Sequence, residues 1–317
     1  MSFVFDYDTN LSDVEVHFLG LLANANEDVL RLRLARGFEI AKLPETKGNA
    51  LLADLERVSI DVIEADMNIR SLSWGGGFFA VTNTFDGGVT TAAEENEGIV
   101  LDADYNDAAR VSLYLEPAVQ CLRLATCKDI RLAFEYYYTL DHGHVHLKRK
   151  AQNPHIRGFR PGFSLGKEQL ILWERLMKED TLLFKHDFLK LAFRYFESSF
   201  ETVNREQAFL SLIIALEIML ETKGVSLAHS VANLLSTTNQ EEQQITTEIA
   251  QLYRRRNQIV HEGVFHFKGE RSFSPDFGEG VILTARDFVK RVILKAVDLD
   301  MDKRHFLLYV RGASPSQ

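Results

Sequence analysis

Cysteine is almost missing from this sequence. Its 317 residues contain only Cys121 and Cys127. They have no second pair and no ligand-like spacing, so free thiols in a reducing compartment are expected rather than a zinc site or a disulfide framework. Long apolar runs are missing too. The longest, Phe209 to Leu220, is too short for a bilayer and carries Glu217. The segment Met1 to Asp8 has neither a basic start nor an apolar stretch, which argues against a secretory signal. A soluble, cytoplasmic protein with no membrane partner is the expectation. Nucleotide-loop signatures are absent as well: Gly75-Gly76-Gly77 lacks both the P-loop lysine and the dinucleotide spacing, and is read as a turn. Asp102 to Asp107 opens like a calcium loop, but Asp107 stands where glycine is needed and Leu113 where glutamate is needed. Positive charge is in deficit. A net charge of -9 argues against a protein that coats nucleic acid nonspecifically, though not against one with a local basic cleft.

What is present is ordinary globular composition, 46% hydrophobic and 26% charged, at a length for which two domains are the soft expectation. The fold class read from the pattern is an α+β amino-terminal domain, residues 1–165, followed by an all-α bundle, residues 166–317. In the first part, Val29 to Leu34 alternates apolar and basic residues. Ile130, Leu132, Phe134, Tyr136, Tyr138 and Leu140 would share one strand face. Helices are expected around Asn49 to Arg57 and near Pro117 to Leu124, with turns at the glycine run and at Asp86-Gly87-Gly88. Beyond about residue 165 the period becomes helical. Helices are predicted over Lys167 to Lys178, around Phe188 to Phe196, from an Asn204 cap to a stop at Gly224, over Ser226 to Leu235, from about Glu241, and over Thr284 to Asp298. Gln207 stands where a side chain reaches back to the Asn204 cap.

Between the halves, Lys148 to Lys167 contains no acidic residue, while Lys148, Arg149, Lys150, Arg157 and Arg160 are basic. Pro154 and Pro161 mark it as a loop or linker, either merely solvated or tracking the phosphates of RNA. Conversely, Arg70 to Arg110 encloses seven carboxylates and no basic residue. His142, His144 and His146 alternate along an expected strand. One face could then present all three, yet no ligand from a second strand is identifiable, and a polar strand end is the better reading.

The chemistry concentrates in Tyr253-Arg254-Arg255-Arg256-Asn257-Gln258-Ile259-Val260-His261-Glu262-Gly263. A guanidinium clamps phosphate through two parallel hydrogen bonds, and a histidine suits proton transfer near neutral pH. Together they are sufficient for metal-free phosphodiester cleavage. Spacing alone proves little, because Arg149 and His155 share it within a proline-containing segment. An ideal helix stacks Asn257 under His261 and brings Arg254 to the same face. Arg256 lies further round unless the last turn loosens before Gly263. Glu217, inside an apolar stripe, is costly to bury unless a basic residue of the long helix pairs with it.

Ala215-Leu216-Glu217, a short intervening helix, and then Leu252-Tyr253-x-x-Arg256-Asn257-x-x-x-His261-x-Gly263 resemble the HEPN superfamily, in particular its Apea-like branch, over residues 185–300. The resemblance implies a helical bundle that dimerises through its helical domain and brings two motifs into one composite cleft. Many members are metal-independent ribonucleases of toxin or antiviral systems; others are noncatalytic. It maps the catalytic set to Arg256, Asn257 and His261, with Glu217, Arg254 and Tyr253 supporting and no metal or cofactor required. It favours Arg256 where helix geometry favours Arg254. The function expected is RNA cleavage; the alternative is a noncatalytic module that binds nucleotide, RNA or protein. By analogy the first half would be a sensor for an unknown ligand or partner.

Overall fold

A computed structural model describes residues 15–57, 77–85, 111–142, 144–152, 163–178, 185–202, 204–262 and 275–312. The chain divides into two compact units, Met1–Ile171 and Leu172–Gln317, with the boundary inside a helix rather than just before it. The fold is mixed α+β.

The first unit holds β1 (Val16–Ala23), β2 (Glu39–Pro44), β3 (Gly77–Phe85), β4 (Arg131–Asp141) and β5 (His144–Gln152). All pairs are antiparallel, in the order β2-β3-β1-β4-β5. Central strands covered on both faces read as continuous apolar runs rather than alternations. That is the pattern of β1, where Phe18 to Ala23 are all buried. Leu19, Leu21, Phe78, Phe134 and Tyr136 form one face of the core with Leu52 of α1 (Glu45–Arg57). On the other face Phe18 packs against Phe38, Phe85 and Tyr137. Helix α2 (Glu116–Thr126) ends on Cys127, which is in the left-handed region at φ 53. Cys121 is buried, Cys127 is half-buried, and neither is in a disulfide.

Four expectations for this unit are corrected. Val29 to Leu34 is not a strand. The Asn26 side chain accepts the N–H of Asp28 and starts a 3-10 turn over Glu27–Arg31 that buries Val29. Local capping outweighs a weak alternation here. The single strand face read from Ile130 to Leu140 is broken by a bulge: the register against β1 slips between Leu21↔Phe134 and Leu22↔Leu132, so Ala133 joins Phe134 and Tyr136 in one core cluster while Leu132 lies with Gly20 and Phe18 on the other side, and Leu140 is exposed. His142 lies at φ 47 in the turn where Asp141 pairs with His144, so it is off the strand that carries His144 and His146. Lys148, Arg149 and Lys150 belong to β5, at the sheet's edge, and not to a linker: Val145 and Leu147 pack on the core and carry the strand onward. Register slips between Tyr138↔Leu147 and Tyr137↔Arg149, which leaves Lys148 as the bulged residue. Gly75, Gly76, Asp86 to Gly88, the seven carboxylates between Arg70 and Arg110, Asp102 to Asp107, His155, Arg157 and Arg160 lie outside the described residues.

The second unit begins within α3 (Lys167–Lys178), whose Trp173 and Leu176 are buried. It contains α4 (Asp187–Glu201), α5 (Arg205–Leu220), α6 (Gly224–Leu235), α7 (Asn239–Asn257), α8 (Pro275–Leu299) and α9 (Lys303–Val310). Helix α5 touches α4, α6, α7, α8 and α9. It is apolar almost all round, as a helix surrounded by others must be. Phe209, Leu212, Ile213, Leu216 and Met219 are all at most 1% exposed. Among the described residues no helix is long and apolar enough to cross a membrane.

Asn204 caps α5 by accepting the N–H of Gln207. Gln207 does not reach back to it; its carbonyl accepts from the Thr202 hydroxyl at 2.9 Å instead. Nor does Gly224 end α5. Glu221 does, at φ 48, held by Lys303 at 2.6 Å, and Gly224 opens α6. Helix α8 begins at Pro275, well before Thr284, and α9 is an element the apolar period did not reveal. Its cap is Asp302, which accepts the N–H of His305.

Candidate functional site

The site grows from one carboxylate on the apolar helix α5 and the final turns of α7. Glu217 is 13% exposed and Arg256, across from it, is 21% exposed. Arg256 Nε lies 3.8 Å from Glu217 Oε1. That separation is electrostatic contact, not a hydrogen bond. Arg256 Cζ lies 5.6 Å from the centre of the Tyr253 ring, within cation–π reach. Its Nη1 donates to Asn257 Oδ1 at 3.3 Å. Of the two arginines the sequence left open, the structure pairs Arg256 with Glu217. Arg254 is exposed, and its side chain stands outside this cluster.

Tyr253 adds a further link. The Glu217 carboxylate and the Gly224 backbone both bear on its hydroxyl. Burial, then the adjacent Glu217 charge, push the phenol above its ordinary value of 10.0, because both disfavour a phenolate. Gly224 was read from sequence only as a helix stop. Its φ of +62 lies in the left-handed region at the start of α6, where a side chain would meet Tyr253 Cε1 at 3.9 Å. A glycine three residues past an αL cap is the signal that would have found it.

The α7 backbone then changes pitch. The Gln258 N–H is shared between the carbonyls of Arg254 and Arg255, and Gln258–Glu262 forms a π turn with i→i+5 bonds. Such a turn winds fewer degrees per residue than an α-helix. His261 therefore stops short of the position an ideal helix would give it. It stays over Asn257 but moves away from Arg254 and toward Arg256. His261 and Val260 are exposed, while Asn257 and Ile259 are half-buried.

Lys148, Arg149 and Lys150 are on β5 of the first unit. Among the described residues no three His, Cys, Asp or Glu side chains are grouped to hold a metal ion. The chemical equipment is thus a guanidinium restrained on three sides, an amide whose nitrogen is left to donate, and an imidazole open to solvent one turn beyond. Comparison with protein-family models, curated proteins and solved structures finds no match to this chain.

Proposed function

We propose that this chain is a metal-independent endoribonuclease with an HEPN-like helical unit. Two copies would meet through that unit to form a composite site, and the enzyme would act as a toxin or antiviral-defence effector. The observation that carries the proposal is Arg256, held between Glu217, the Tyr253 ring and Asn257, on a helix whose π turn exposes His261. His261 takes the proton of an RNA 2′-hydroxyl as its oxygen attacks the adjacent phosphorus. The bond from phosphorus to the 5′-oxygen breaks, and that oxygen leaves with a proton delivered by a histidine. The products are a 2′,3′-cyclic phosphate and a 5′-hydroxyl. Arg256 stabilises charge that builds on the phosphoryl oxygens, and Asn257 orients the phosphate or the imidazole. Lys148, Arg149 and Lys150, with Arg157 and Arg160, are the candidate contacts to the RNA backbone, and the first unit recognises the ligand or partner that triggers cleavage.

Single-stranded RNA incubated in EDTA should be cut by the wild type. His261→Ala should lower the rate by about a hundredfold or more, the scale of losing a general acid–base group, with circular dichroism and oligomeric state unchanged. A noncatalytic binding module is the competing reading. It is favoured by the exposure of His261, which no hydrogen bond or ion pair among the described residues orients. Intact RNA with both proteins, alongside RNA or nucleotide binding by both, would establish that reading instead.

A further inference from the structure

Three arginines, Arg31, Arg33 and Arg36, stand between Val29 and Phe38 with no carboxylate among them, in a chain of net charge -9. The fold uses one of the three. Arg31 Nη1 donates to the Leu165 carbonyl and lies 3.8 Å from Asp28 Oδ1. Arg33 and Arg36 are exposed, and among the described residues neither side chain has a hydrogen bond or ion pair.

Arg36 sits in the left-handed region at φ 58, where a residue other than glycine is uncommon. The turn around it is fastened from two elements. The Asn83 side chain of β3 donates to the Arg36 carbonyl at 3.1 Å. The Tyr114 hydroxyl, from the π turn Val111–Leu115, accepts the Ala35 N–H. Gly37, at φ 81, has no room for a side chain, since Asn83 Oδ1 would stand 2.8 Å from its Cβ. Unfavourable backbone angles persist where the surroundings over-determine them, and such positions cluster at binding sites. What this one presents is a guanidinium. Arg36 Cζ lies 5.2 Å from the centre of the Tyr114 ring, and that ring stacks on the buried Phe38 at 15°, with centroids 5.6 Å apart. Contacts thus run in succession from the core, through a half-buried ring, to an exposed arginine.

We propose that this arginine turn is a binding site for single-stranded nucleic acid. The N–H groups of Arg33 and Arg36 grip phosphates, and the flat Arg36 guanidinium, backed by Tyr114, takes a base against its plane. An acidic peptide supplies the charge but no base to lie on the guanidinium. The site belongs to the first unit and does not depend on the ribonuclease reading.

The test is fluorescence anisotropy of the full-length protein with a labelled oligodeoxyadenylate. That probe lacks the 2′-hydroxyl, so it stays intact whatever the protein cleaves. The variants are Arg36→Gly, Arg36→Lys and Arg33→Ala. Arg36→Gly removes the guanidinium and relieves the backbone, so it should melt at least as high as the wild type. It should nonetheless bind about ten- to a hundredfold more weakly, the range for losing one base stack. A residue that merely supports the turn would lose stability and binding together. Arg36→Lys should keep the salt dependence yet recover only part of the affinity, because an ammonium has no plane. Arg33→Ala should flatten the plot of log affinity against log salt by about 0.7, the change for one phosphate contact on a single strand. An oligoglutamate of equal charge should compete about tenfold more weakly than the unlabelled strand, having no base to stack. The proposal is overturned if the wild type does not bind the probe, if Arg36→Gly binds as the wild type does, or if Arg36→Gly loses stability along with affinity. Equal competition by the oligoglutamate also overturns it, and makes the turn a site for acidic peptides instead.

Discussion

Glu217 was legible as an anomaly because a carboxylate inside an apolar stripe needs a reason. Its partner was not legible. Three consecutive arginines face different ways round a helix, and only the packing of α7 against α5 selects Arg256. Tyr253 was even less visible, since the Glu217 charge that bears on it comes from another helix. The same residue-scale logic governs Asp300, at φ 42 just beyond α8. Lys185 Nζ reaches it at 2.7 Å and His186 Nε2 at 3.3 Å. Hydrogen bonds from Lys185, then from His186, hold this carboxyl below its ordinary 3.8. Because the folded value is the lower one, the stabilisation is present above pH 3.8 and disappears as pH falls through the lowered value. Carbon-detected titration should place Asp300 below 3.8 in the wild type. Lys185→Met should move it back up, and the melting temperature of that variant should converge on the wild type's in strong acid.

At the scale of elements, periodicity placed the helices well where the core stripe was long. Lys167 to Lys178 was read with the bounds the structure gives, and α5 was recovered with its Asn204 cap. Ends were read less well, because they are decided by single backbone conformations and by contacts from elsewhere. Gly224 is the instructive case. A glycine after a helix invites reading as a stop, whereas here Glu221 takes the left-handed cap and Gly224, at φ +62, starts the next helix. Gly224→Ala would meet only an ordinary contact, with Tyr253 Cε1 at 3.9 Å. Its penalty comes from the backbone, about 1–2 kcal/mol for an L-residue held in the left-handed region. Urea unfolding should show that loss as a lower midpoint at unchanged slope. The π turn at Gln258–Glu262 is the other feature no apolar stripe records. It also eases the conflict over which arginine serves His261, since the looser winding draws the histidine toward Arg256.

At the scale of the whole molecule, the division into a sheet-bearing unit and a helical unit follows the change in hydrophobic period. The strand topology did not follow from sequence. Central strands with both faces buried lose the alternation that marks a strand, and capping by Asn26 turned one alternating stretch into a 3-10 turn. A composite site requires two copies. Sedimentation velocity of the full-length chain should therefore show a dimer, and specific cleavage activity should fall on dilution below its dissociation constant; a monomer with undiminished activity would refute the composite arrangement. The manner of association is constrained by β5. A strand at the rim of a sheet offers unpaired amides to any other strand, and lysines and bulges are among the means by which such rims are protected. Here Lys148 is the bulged residue, flanked by Leu147 and Arg149, while the opposite rim, β2, bears Lys42 and ends at Pro44. Joining two copies into one continuous ten-stranded sheet would bring like charges together across a broken hydrogen-bond ladder. Both rims thus carry features that disfavour pairing between copies, and the sheet should resist becoming a template for another as the protein is concentrated.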